Sequence, residues 1–187
     1  MLQTLVFREY RYDKNIDNRI EKLKENINQN ENDIESLKEL ANIYHAHKKN
    51  SEAVLMYEKL SKILYNDNEV LAFLGYLYYE NNDLDNAKKY LLKALELYEK
   101  EPFVLFLLGN TVSRQGKIID AINYYEKAIF LDFDILTAHI DFGRKYEHMG
   151  RHKKAYKEYL AAYELDKSDD GLKEKIDYLK EKIEKIQ

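Results

Sequence analysis

Apolar residues along this chain fall on a helical rhythm, and the rhythm itself repeats. From Ile34 onward, amphipathic stretches of about three to four turns alternate with short polar runs, which predicts helices joined by tight turns. Four alanines, Ala53, Ala87, Ala121 and Ala155, stand 34 residues apart. Four residues after each come Tyr57, Leu91, Tyr125 and Tyr159, and seven after come Leu60, Ala94, Ala128 and Ala162. Twelve residues before each stand Ala41, Gly75, Gly109 and Gly143, and nine before stand Tyr44, Tyr78, Val112 and Tyr146. A period of this length predicts an all-α repeat array, in which each unit buries its apolar face on its neighbours.

The repeats run over 34–67, 68–101, 102–135 and 136–169, each dividing into two helices. Their internal turns centre on Lys48 to Ser51, Asn81 to Asp83, Gln115 to Lys117 and Met149 to Arg151. Gly116 and Gly150 suit the left-handed conformation that ends a helix. Asp83 and Ser51 are the expected N-caps of second helices. The single proline, Pro102, falls at a first helical position, where its missing N–H is no loss. Small residues at the eighth and twentieth positions of each repeat let two backbones approach, while Leu40, Leu74, Leu108, Phe142 and the tyrosines fill the space beside them.

The ends differ from the repeats. Ile16, Ile20, Leu23 and Ile27 mark an amphipathic helix where the second helix of a preceding repeat would stand, so residues 1–33 read as a degenerate repeat or capping helices. Leu2, Leu5, Val6 and Tyr10 share a helical face, but alternation in the same stretch fits a strand equally. At the other end, Leu172, Ile176, Leu179, Ile183 and Ile186 form one apolar edge of a Lys/Glu-rich helix over 170–187. This is the pattern of a terminal cap with a polar outer face; two heptads are short for a coiled coil.

Composition narrows the function classes. A net charge of −4 and a pI near 5.8 argue against a nucleic-acid binder, which would carry a strong basic stripe. The chain has no cysteine, so disulfides and thiolate metal sites are excluded. No apolar run approaches the roughly 20 residues of a membrane span. Met1 to Arg8 lacks a basic region followed by a long apolar core, which gives no signal peptide and a cytoplasmic expectation. His45 with His47, and His148 with His152, lack a carboxylate–histidine set at metal-ligand spacing. No phosphate loop or nucleophile–base pair is present, so no catalysis and no cofactor are expected. Arg151, Lys153, Lys154 and Lys157 form a basic cluster that reads as a solvated helix start, with an anionic docking patch as its alternative.

With Leu105, Leu108, Gly109, Gly116, Ala121, Tyr125, Ala128 and Leu131 in one repeat, the chain resembles the tetratricopeptide-repeat family. Phe142, Gly143, Tyr146, Gly150, Ala155, Tyr159, Ala162 and Leu165 repeat the pattern in the next. The likeness spans 34–169, and departs from the family where Tyr65, Glu99, Phe133 and Lys167 replace its usual proline and where His139 replaces a large residue. It implies an α-α superhelix, a right-handed solenoid of antiparallel helix pairs. First helices line a concave groove that takes a peptide or helix of a protein partner.

That resemblance places Lys38, Asn42, Ala72, Tyr76, Tyr79, Phe103, Phe106, Asn110, Arg114, Ile140, Arg144 and His148 on the groove face. Aromatic anchors flanked by amide and guanidinium donors suit a peptide backbone or its carboxylates. The same aromatics also read as ordinary packing residues. Phe103 to Leu108 is apolar all round, which fits either deep burial or a surface for a partner or for self-association. Lys38 and Asn42 match part of the family's carboxylate clamp for heat-shock protein termini, but Phe73, Phe103 and Leu107 break the rest of it. The expected role is a non-catalytic adaptor or chaperone-like module, with a self-assembling structural protein as the alternative.

Overall fold

A computed structural model of the chain describes residues 15–185. The described residues form ten helices and no strand: α1 (Ile16–Gln29), α2 (Ile34–Ala46), α3 (Asn50–Ile63), α4 (Asn68–Glu80), α5 (Leu84–Leu97), α6 (Pro102–Arg114), α7 (Ile118–Phe130), α8 (Ile135–His148), α9 (His152–Leu165) and α10 (Asp170–Glu184). The stretch 2–12, open between helix and strand, lies outside the described residues, as does Ile186.

Two compact units divide the chain, one ending at Leu131 and the other starting at Asp132. In the first unit each helix from α1 to α7 packs on the next, and α4 also touches α6. In the second, α9 packs between α8 and α10. The pairs α2/α3, α4/α5, α6/α7 and α8/α9 are the two-helix repeats that the alanine period predicts.

Each pair is closed at the same two places. Ala53, Ala87, Ala121 and Ala155 are buried. Opposite them, a Cβ built on Gly75, Gly109 or Gly143 would run into the residue sixteen further on: Leu91, Tyr125 or Tyr159. At Gly143 it would lie 2.7 Å from Tyr159 Cε1. Glycine is therefore required there by close approach of two helices, as the small-residue pattern implies.

The turns inside the repeats obey the same period. Lys48, Asn82, Gly116 and Gly150 all have φ between 63° and 78°. In each turn the following N–H donates back to a carbonyl five residues earlier: Lys49 to Tyr44, Asp83 to Tyr78, Lys117 to Val112 and Arg151 to Tyr146, at 2.8–2.9 Å. This left-handed stop satisfies carbonyls that the helix end would otherwise orphan. Two of the four positions carry side chains, Lys48 and Asn82, where glycine would be the easier fit.

Caps follow chemistry that the sequence shows only in part. Asp83 accepts from the Asn86 N–H at 3.2 Å, as expected. Ser51 is not a cap: α3 begins one residue earlier, with Lys49 at the cap position and no side-chain bond there. Asn50 is drawn inward instead, its Oδ1 3.3 Å from His45 Nδ1. The unforeseen caps lie on the first helices α2, α4 and α8, where Asp33, Asp67 and Asp134 accept from backbone N–H groups of the first turn, and on α10, where Asp169 does the same. Pro102 opens α6 as its position predicts. The link between α7 and α8 sits one residue early in the 34-residue register, and its Asp132 takes a left-handed φ of 58°. In the second unit Leu172, Ile176 and Leu179 of α10 are buried, and Lys175 Nζ lies 3.1 Å from Glu147 of α8.

Candidate partner-binding site

The residues expected on the groove face come from the first helices α2, α4, α6 and α8, and the structure sorts them into two sets. Tyr76, Tyr79, Phe103 and Phe106 are at most 2% exposed. They are buried residues in this structure. Val70–Glu80 of α4 and Phe103–Val112 of α6 are buried throughout. Phe103 to Leu108, apolar all round, thus has deep burial as its explanation.

The buried aromatics form two clusters. His45 lies edge-on to Phe73 and Tyr76, with ring centroids 6.0 and 5.4 Å away. The Tyr76 hydroxyl is 3.4 Å from His45 Nε2, and His45 Nδ1 meets Asn50, so the imidazole bridges α2, α3 and α4. Nothing in the helical spacing of His45 marks this role; its only signal is a histidine on an otherwise apolar face. In α6, Phe103 stacks on Phe106 at 6.2 Å, and Phe106 packs on Tyr125 at 6.2 Å. Buried aromatic pairs of this kind stabilise by burial and by edge or offset geometry.

Two expected groove donors are engaged inside the first unit. Asn110 is buried, and its Oδ1 accepts the Tyr125 hydroxyl at 2.7 Å. Arg114 is exposed, with its guanidinium 4.0 Å over the Tyr79 ring, a cation–π contact that screens the aromatic from solvent. Lys38 and Asn42 of α2 are half-buried. Ala72 is buried and Ile140 half-buried.

In the second unit Arg144 and His148 are exposed on α8. Arg144 Nη1 is 3.6 Å from Asp141, a surface pair of little energetic weight. Nearby, His139 Nδ1 lies 2.8 Å from Glu158, a pair mostly removed from solvent, and Glu147 accepts from the Tyr159 hydroxyl at 3.2 Å. Burial first, and then the Glu147 carboxylate, push the Tyr159 phenol well above its usual range. These pairs lock α8 to α9. The polar members of the expected face that stay accessible are Lys38, Asn42 and Arg114 in the first unit and Arg144 and His148 in the second, and the apolar Ile140 is half-buried like Lys38 and Asn42. No described helix is long and apolar enough to cross a membrane.

Comparison with known proteins places this architecture. A family model for subunit 3 of the anaphase-promoting complex, or cyclosome, matches residues 46–128, and the tetratricopeptide-repeat model matches residues 136–169. No curated protein matches the chain. Among solved structures, MamA is similar with a TM-score of 0.61 and 21% identity, over 87% of this chain and 99% of that one. TTC0263, a thermophilic tetratricopeptide-repeat protein of Thermus thermophilus, is similar with a TM-score of 0.56 and 18% identity, over 86% and 88% of the two chains. YrrB, described as a tetratricopeptide-repeat protein with an unusual peptide-binding site, gives 0.56 and 19% over 88% and 85%. The helix pairs, the 34-residue period of their glycines, alanines and left-handed turns, and these matches agree: the chain is a tetratricopeptide-repeat protein.

Proposed function

We propose that the chain is a non-catalytic interaction module that binds a carboxylate-bearing segment of a protein partner on the first helices of its first unit, in an adaptor or chaperone-like role. The observation that carries this reading is the sign of what stays accessible. In that unit Lys38, Asn42 and Arg114 are all hydrogen-bond donors, in a chain of net charge −4. Guanidinium and ammonium groups presented on rigid helices favour carboxylates, and charge-assisted bonds are roughly twice as strong as neutral ones. The fold likeness to YrrB, whose description names a peptide-binding site, supports peptide recognition on such a scaffold. The buried aromatics then serve to hold the first helices rigid and not to anchor the ligand.

The test compares wild type with Lys38→Glu and Arg114→Glu variants, alone and combined, as bait in lysate of the source cell. Circular dichroism first confirms that each is folded. A partner retained by wild type, weakened by each reversal and released by moderate salt supports the reading. A partner set indifferent to both reversals refutes it.

A further inference from the structure

Three of the second helices start on an acid and the fourth starts on lysines. Glu52, Asp85 and Asp120 stand in the first turns of α3, α5 and α7, where a carboxylate suits the positive end of a helix. The first turn of α9 holds no acid and carries Lys153 and Lys154 instead. The cations continue to Lys157, and no acid occurs from Met149 to Lys157. A cation at that end opposes the helix dipole, so the fold gains nothing from Lys153.

We propose that this edge of the second unit, the start of α9 with the end of α8, docks an acidic segment of a protein partner. The inference does not rest on the first-unit reading, since none of its residues belongs to that unit. Lys153 and Lys157 lie one turn apart on one face of α9. Both are exposed, and neither is in an ion pair among the described residues. Arg151 and Lys154 flank them, half-buried, with Lys154 Nζ 5.2 Å from the centre of the Tyr146 ring. His148 adds an exposed side chain from the last turn of α8. The carboxylates of α8 and α9 around this edge are held elsewhere. Glu158 is buried against His139, Glu147 meets Lys175 at 3.1 Å, and Asp141 lies 3.6 Å from Arg144.

The exposure of these lysines is a property of the repeat. Ser51 and Asp85 stand at the position of Lys153, Leu55 and Lys89 at that of Lys157, and all four are exposed. Asp85 and Lys89 stay so although α5 packs between α4 and α6, so neighbouring helices on both sides leave these positions open. The chemistry of the patch selects its occupant. Lysines one turn apart, with Cβ atoms about 5–6 Å from each other, match carboxylates on alternate residues of an extended chain, about 6.6 Å apart. A membrane surface calls for apolar side chains among the cations, and no large apolar side chain between Met149 and Tyr159 is exposed. A nucleic acid calls for a longer basic stripe than the start of one helix.

The experiment is calorimetric titration of a short peptide alternating glutamate and serine into the full chain carrying Lys38→Glu and Arg114→Glu. That background removes the cations of the first-unit face, so failure of one reading is distinguished from failure of the other. Binding is expected at low salt and lost at about 1 M salt, where the screening length is about 3 Å. The same peptide with glutamine for glutamate should not bind. Adding Lys153→Glu/Lys157→Glu should weaken binding about tenfold or more. Its melting temperature should hold or rise, because a carboxylate then stands in the first turn. Lys153→Arg/Lys157→Arg should keep the binding. No binding of the glutamate peptide at low salt overturns the proposal, as does binding that the double reversal leaves unchanged. Binding of phosphatidylserine–phosphatidylcholine vesicles in place of the peptide overturns the choice of occupant. A double reversal that lowers the melting temperature assigns the lysines to the fold and overturns the proposal as well.

Discussion

Substituting alanine for Gly109 adds one methyl group to the tightest crossing in the first unit. An added Cβ would lie on the Tyr125 ring, 2.6 Å from Cδ1 and 2.9 Å from Cζ, and closer still to Cε1. The ring would have to retreat by about 1 Å to reach ordinary contact. It is not free to do so, because its hydroxyl donates to buried Asn110 and its face packs on Phe106. Overpacking of this kind costs about 1–3 kcal/mol, and straining the Tyr125–Asn110 bond forfeits part of its roughly 0.5–1.5 kcal/mol. Against this, alanine gains about 1 kcal/mol of helix propensity over glycine. The steric cost wins, leaving a net loss of about 1–2 kcal/mol. That is a fall of about 3–6 °C in melting temperature for a chain of this size. The assay is urea and thermal unfolding followed by far-ultraviolet circular dichroism. On a Tyr125→Ala background the obstruction is gone, so the same Gly109→Ala change should turn stabilising, with a coupling above about 1 kcal/mol. A Gly109→Ala protein as stable as wild type, or an equal loss on both backgrounds, would refute the account of the crossing.

Two further perturbations test the turns and caps. Lys48 holds a left-handed φ of 64° that costs an L-residue about 1–2 kcal/mol. Lys48→Gly removes that strain, at about 0.4–1 kcal/mol of extra unfolded-state freedom. The expected gain is about 0.5–1 kcal/mol in urea melts, and a loss would show the turn is not strained. Asp134 accepts from the Thr137 hydroxyl at 2.6 Å and from its N–H at 2.9 Å, and these bonds, the hydroxyl first, hold its carboxyl below the ordinary value. A carboxyl lowered by folding stabilises above the unfolded aspartate pKa of about 3.9 and stops doing so as pH falls through the lower folded value. The stability difference between wild type and Asp134→Asn should therefore hold at neutral pH and shrink on acidification through that window. A pH-independent difference would contradict the cap.

The sequence carried most of the fold because repetition turns weak local signals into a register. One glycine at a turn is ambiguous; Lys48, Asn82, Gly116 and Gly150 at equal intervals are not, and the turns fall where that spacing puts them. The caps of α2, α4, α8 and α10 were also written there, in Asp33, Asp67, Asp134 and Asp169. They were obscured because the link before α8 slips one residue out of the period. Ser51 misled because residue type alone does not say where α3 begins. The candidate site was less legible. Helical spacing gave the face on which Tyr76, Tyr79, Phe103 and Phe106 lie, but a face is a direction and not an exposure.

What the sequence determined by itself is the set of helices, their pairing, the small residues at each crossing and the turns between them, all local or periodic properties. What only the tertiary structure decided is which faces meet water. Burial depends on how near neighbouring helices come, and that distance is set by all the side chains between them at once. It buried the aromatic faces of α4 and α6, drew His45 into the core and left Ile119 and Phe130 on the outside.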